Sequence, residues 1–225
     1  MQITNASGII ASGRTLAERQ VASASIIKGK NHTLVATAAH CIYDLNRIKY
    51  HENILFSISE DVEVKYRPMA VAIPKDFVEN TYLEYDTCFL VMEERFNTVE
   101  AYRKAALEVA FNLPKNLRYS IYGYPNESNL IPAKAEGKAV KDTYKNSSLQ
   151  GVSCFEKDGM SGGPWITTYK ESVVQNSLSI LSMNSVENIM WGPYWGKVIE
   201  CTYKAADELQ LDYPDVQLHF FSGRR

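Results

Sequence analysis

Hydrophobic positions in this chain fall in short runs separated by polar and turn-forming residues, not at the three-to-four spacing of long amphipathic helices. Ser7–Ser12 carries an apolar centre between small residues, Gln20–Lys28 alternates weakly and is closed by Gly29, and residues 33–39 form a β-compatible run of small side chains. Residues 54–58, 62–66 and 69–73 continue the series, and residues 85–92 place Asp86 at the head of an apolar run. Residues 100–111, richer in Ala, Glu and Lys, read as a connection with a helical turn. A second series follows at 118–124, 134–140, 149–155, 165–168, 179–183 and 197–203, before a short helix over 205–211, and the tail from 212 to 225 takes no assignment. Short strands at this spacing predict an all-β barrel or sandwich fold. The connection divides it into lobes of residues 1–105 and 106–225.

Composition narrows the partners. A length of 225 residues suits one domain or two small lobes sharing a site. With 24 basic against 26 acidic residues and a net charge of −2, nothing favours a nucleic acid. Residues 1–19 lack an apolar run of signal-peptide length, and no window resembles a membrane span. The expectation is a soluble, cytoplasmic chain with no membrane partner, or a secreted one if a leader was removed before Met1. Cys41, Cys88, Cys154 and Cys201 are widely spaced and form no metal-binding pattern, so free buried thiols are preferred. If a disulfide forms, Cys154 with Cys201 is the first candidate. No metal or cofactor is expected.

The candidate chemistry centres on Gly159-Met160-Ser161-Gly162-Gly163-Pro164. A serine framed by glycines can sit on a tight turn with its hydroxyl exposed and backbone N–H groups converging beside it. Alone it could be only a turn, because a serine hydroxyl needs a base, itself held by a third group, to become a nucleophile. His40, in Thr37-Ala38-Ala39-His40-Cys41, lies among small residues that would pack its imidazole closely. Asp86, in Tyr85-Asp86-Thr87-Cys88-Phe89-Leu90, would be carried inward by its strand and must find a partner there. The chain order His40, Asp86, Ser161 is one of the orders in which a Ser-His-Asp triad occurs.

These three motifs resemble those of the trypsin/chymotrypsin-like serine peptidases, and Gly123-Tyr124-Pro125 with Asn184-Ser185 is similar to bacterial and fungal glutamyl-endopeptidase-like members. The resemblance implies two antiparallel six-stranded β-barrels, followed here by a short C-terminal helix, with the site in the cleft between them. It implies peptide-bond hydrolysis through an acyl-enzyme, with Ser161 as nucleophile, His40 as base, Asp86 as its orienting carboxylate, and the N–H groups of Gly159 and Ser161 as oxyanion hole. Protein or peptide substrates would enter a pocket walled by residues 154–158, 184–187 and 191–195, with Phe155, Asp158, Ser185 and Glu187 as the substrate-binding candidates. Phe155 stands where trypsin-like enzymes place a pocket-base acid. Recognition of a basic residue by Glu156, Asp158 or Glu187 stays open beside an apolar preference shaped by Phe155 and the tryptophans, and His219 suggests glutamate recognition.

Met160 departs from the family pattern, in which an Asp before the serine pairs with a newly cut amino terminus. Either the site forms constitutively or a partner or ligand orders it. The function classes that follow are a serine endopeptidase, including a dedicated regulatory or defence-type one under an activating or inhibitory protein partner, and a catalytically silent double barrel used for binding.

Overall fold

Apolar side chains on neighbouring strands commit the first half of the chain to one curled sheet. The computed structural model describes residues 5–12, 20–58, 61–126, 131–142, 146–153, 158–169, 172–178 and 189–221. Among these, eight antiparallel strands run in the order Val216–Phe220, Pro68–Pro74, Cys88–Met92, Thr33–Thr37, Gln20–Lys28, Ser7–Ser12, Leu55–Ile58 and Asp61–Tyr66. Tyr66 from one edge strand shares a core with Val71 and Ile73 from near the other, around Phe56, Leu90 and Phe96, so the sheet wraps on itself. Its other face is covered too, and for that reason Cys88–Met92 is buried at every position and reads as a continuous apolar run.

The second half contributes a four-stranded sheet of Ala133–Lys138, Arg118–Gly123, Pro164–Tyr169 and Ser172–Leu178, and a three-stranded one of Val140–Lys141, Gln150–Ser153 and Ile189–Gly192. Tyr119, Ile121 and Trp165 from the first sheet meet Val152 and Met190 from the second in one core, which Met160 joins. The architecture is all-β, with a helix near the C-terminal end. No helix among the described residues is long and apolar enough to cross a membrane.

The end of the chain differs from its sequence reading. Residues 197–203 form no strand, because Lys197–Glu208 is a single helix. Their β-branched and aromatic residues favour a strand locally, but Ile199, Thr202, Ala205 and Ala206 are buried at helical spacing against the first sheet. The unassigned tail supplies the edge strand Val216–Phe220, paired with Pro68–Pro74. Cys41, Cys88 and Cys201 are free thiols, and Cys154, the other half of the Cys154–Cys201 candidate, lies outside the described residues.

Trp195, fully buried, lies between the two halves of the chain. It stacks on Phe111 at 5.6 Å and meets Phe89 edge-on at 5.4 Å. Trp195→Ala is expected to lower unfolding stability by about 3–5 kcal/mol, the usual cost of removing a large buried aromatic ring. Denaturant unfolding measures it, and a loss below about 1 kcal/mol would show that the ring is not a tie between the halves.

Candidate active site

His40 lies in a one-turn 3-10 helix, Ala39–Cys41, that ends the strand Thr33–Thr37. The alanines before it are fully buried, which brings the backbone close to the core and leaves the imidazole the one large group at the turn. Asp86 follows another short 3-10 turn, Leu83–Tyr85. Its φ of −69° and ψ of 66° are those of an inverse γ-turn, closed by the Thr87 N–H donating to the Tyr85 carbonyl at 2.6 Å. That turn aims the carboxylate back at the His40 segment.

Both carboxylate oxygens are used. His40 Nδ1 lies 2.6 Å from Asp86 Oδ2, and the His40 backbone N–H donates to Oδ1 at 2.9 Å. Two contacts on one carboxylate fix its plane and hold the ring orientation. With Asp86 ionised, Nδ1 carries the proton and Nε2 is left with its lone pair. Asp86 is 1% exposed, whereas the His40 side chain keeps 31% of its surface. The imidazole can therefore reach solvent while the carboxylate that holds it cannot.

Burial of the ring favours neutral imidazole, but attraction by the Asp86 carboxylate, reinforced by Cys41, wins, and the His40 pKa stands well above the usual 6.5. A raised histidine pKa stabilises the fold fully below the unfolded value, and that contribution is lost as pH rises through the folded one.

Ser161 comes from the second half and reaches the same place. It is 9% exposed and lines, with His40, Cys41, Tyr124, Asn126, Asp158 and Gly159, a cleft of about 620 Å³. Two glycines allow the approach. Gly159, at φ +95°, is in a conformation that L side chains rarely adopt. A Cβ on Gly162, at φ +82°, would lie 2.1 Å from Thr37 Oγ1 and 2.3 Å from the Ser23 carbonyl. The turn carrying Ser161 thus presses directly on the strands of the first sheet.

The expected triad residues are brought together as far as the described geometry goes: His40 and Asp86 are bonded, and Ser161 lines the same cleft as His40. Gly159 and the exposed Asp158 line the cleft as well. Phe155, Glu156, Ser185 and Glu187, like Asn184, lie outside the described residues. Trp195 is no pocket wall but part of the core beneath the first sheet. His219 stacks on Tyr50 at 4.0 Å in the edge strand and is not among the cleft residues, which removes it from glutamate recognition.

Ser23 is the residue that sequence reading missed. It is fully buried and bonds to three parts of the site. Its signal was faint: Ser23 and Ser25 are small polar residues at alternate positions of a strand otherwise built from Val, Ala and Ile.

A sequence profile described as Trypsin matches residues 6–188. Among solved structures, the chain is similar to a thermostable serine protease, AL20, from an extremophilic microorganism, with 28% identity over 92% of this chain and 99% of that one, and a TM-score of 0.81. It is also similar to the protease Anisep from Arthrobacter nicotinovorans, with 28% identity over 91% and 96% of the two chains and a TM-score of 0.77. A Glu endopeptidase crystallised with MPD shares the fold at 15% identity, covering 91% of each chain, with a TM-score of 0.71. No curated protein sequence matches the chain significantly.

The His40–Asp86 pair is open to direct titration. NMR of the His40 ring is expected to give a pKa above 6.5, and Asp86→Asn should move it downward by removing the attracting charge. An unchanged value in Asp86→Asn would show that the carboxylate does not set the protonation of the ring.

Proposed function

Because the chain belongs to the trypsin family and is a serine endopeptidase, we propose that His40, Asp86 and Ser161 are its catalytic triad and that the N–H groups of Gly159 and Ser161 form its oxyanion hole. The reading is carried by one observation: the imidazole bonded to a buried carboxylate opens onto the cleft that Ser161 and Gly159 also line.

In this mechanism Ser161 Oγ attacks the scissile carbonyl carbon while its proton passes to His40 Nε2. Asp86 keeps the other ring proton on Nδ1 and stabilises the imidazolium. The carbonyl oxygen becomes an oxyanion and accepts the N–H groups of Gly159 and Ser161, each such donor being worth about 3 kcal/mol of barrier. Collapse breaks the C–N bond and the leaving amine takes the proton from Nε2. Water, deprotonated by His40, then attacks the acyl-enzyme, and Ser161 Oγ leaves, taking that proton back from His40 Nε2, which releases the new carboxylic acid and restores the serine and the neutral base.

Protein and peptide substrates follow from the family. For their recognition we propose Asp158, whose exposed carboxylate borders the cleft and suits a basic side chain. Phe155, Ser185 and Glu187 as pocket residues are supported by the sequence resemblance alone. Control by an activating or inhibitory protein is a second reading, raised because Met160 cannot form the ion pair by which an acid at this position is switched.

A fluorophosphonate probe tests the assignment. Purified full-length chain is expected to be labelled at Ser161, and Ser161→Ala should abolish labelling and lower kcat on casein by about 10⁴- to 10⁶-fold. A folded wild-type chain that neither labels nor cleaves would favour the silent or partner-dependent barrel.

A further inference from the structure

The turn that carries the proposed oxyanion donors is gripped by a side chain that belongs to neither the triad nor the hole. Ser23, on the strand Gln20–Lys28, has 0% exposure. Its backbone N–H donates to the Ser161 carbonyl at 2.8 Å, and its hydroxyl donates to the Gly159 carbonyl at 2.7 Å. The same Oγ accepts the Tyr124 N–H at 2.7 Å, and its own carbonyl accepts the Thr37 hydroxyl at 2.8 Å. A serine hydroxyl has a single proton to give. Giving it to Gly159 while receiving Tyr124 sets the hydroxyl in one orientation and joins the oxyanion turn to the 123–125 segment.

A second contact acts on the neighbouring peptide. The Asn126 N–H donates to the Asp158 carbonyl at 2.9 Å. In a trans peptide the carbonyl and the following N–H point in opposite directions. Holding the Asp158 carbonyl toward Asn126 therefore turns the Gly159 N–H away from that segment. Met160, between Gly159 and Ser161, is 2% exposed and packs with Tyr119, Ile121, Val152, Trp165 and Met190, so the turn is seated from below by apolar contact.

Resting on the endopeptidase reading above, we infer that Ser23 is a positioning residue which, with Met160 seated in the second core, holds the oxyanion turn in working geometry without an ion pair to a cut amino terminus. The grip links residues 23, 37, 124, 126 and 158–161, and these contacts among the described residues involve no chain terminus. Ser23 acts through Gly159 and touches no substrate. Without its hydroxyl, the Gly159 carbonyl and the Tyr124 N–H both lose a buried partner, and the peptide planes between them are free to turn.

The probe is p-nitrophenyl acetate, whose acylation of the serine uses the base and the oxyanion hole with little demand on the specificity pocket. Ser23→Ala in the full chain is expected to acylate about 10- to 100-fold more slowly, with the apparent pKa of the pH profile unchanged because the His40–Asp86 pair is untouched. A rate within threefold of wild type overturns the inference, and so does a slower rate accompanied by a shifted pKa, which would place the effect on His40. Since Ser23→Ala could weaken folding, a second measurement uses the wild-type chain with an uncleaved affinity tag ahead of Met1. It is expected to acylate as fast as the untagged chain, and activity that appears only after amino-terminal trimming overturns the inference. Wild type that fluorophosphonate does not label removes the endopeptidase reading and this inference with it, whereas a labelled wild type with an unaffected Ser23→Ala removes this inference alone.

Discussion

The close packing of Gly162 on Ser23 and Thr37 is the constraint on which the rest depends. His40 and Asp86 are supplied by the first sheet and its connections, Ser161 by a turn of the second half, and no single element could present all three. Only a residue without a Cβ lets the turn come within reach of the Ser23 carbonyl and Thr37 Oγ1. Once there, Ser161 and Gly159 bond to Ser23 instead of to water. Each such bond contributes about 1 kcal/mol net, too little to decide whether the chain folds. What it decides is direction, and an oxyanion donor misdirected by a peptide rotation is lost entirely.

That contact would be fragile if nothing else joined the halves, but the second half is also fastened where the chain leaves the first sheet and where it returns. The chain leaves the first sheet beside Gln20–Lys28, where Leu107 exchanges backbone bonds with Ile26 and Lys28 at 2.9 Å. It returns at Trp195, whose carbonyl accepts the Asn112 N–H at 2.8 Å, closing the base of the second half. The helix Lys197–Glu208 then fastens the return. Its buried Asp207 accepts the N–H groups of Lys30, Asn31 and His32 at 2.9–3.1 Å, satisfying a turn of the first sheet. Both ends of the second half are thus held on the first, and the cleft between them keeps its width.

How much of this the sequence disclosed depends on whether the information was local. Cys88–Met92 was legible because burial demands an unbroken apolar pattern, Gln20–Lys28 because a weak alternation is closed by Gly29, and the triad motifs because small residues and glycines mark close backbone approach. The helix at 197–208 was misread where local β-propensity competed with contacts to the strands Pro68–Pro74 and Cys88–Met92, far earlier in the chain. His219 looked functional while its strand had no known neighbour, and pairing with Pro68–Pro74 makes it a stacking partner of Tyr50. Ser23 was invisible for a related reason: a buried serine on a strand has no local signature, and its meaning comes from Gly159 and Tyr124, far along the chain.

Met160 bears on how such an enzyme can be controlled. A carboxylate at this position, buried among Tyr119, Val152 and Trp165, would carry a large desolvation penalty unless a cation came to meet it, so order in the turn would follow the arrival of that cation. A thioether carries no such condition. Its burial stabilises by about 1.5–3 kcal/mol, is indifferent to salt, and changes with no proton in the working pH range. The contacts that hold the turn are likewise neutral hydrogen bonds between groups already inside the fold. With the turn seated in this way, two properties remain through which activity can be governed: access to the cleft, and the protonation of His40, whose raised pKa confines the neutral base to higher pH than a free imidazole would require.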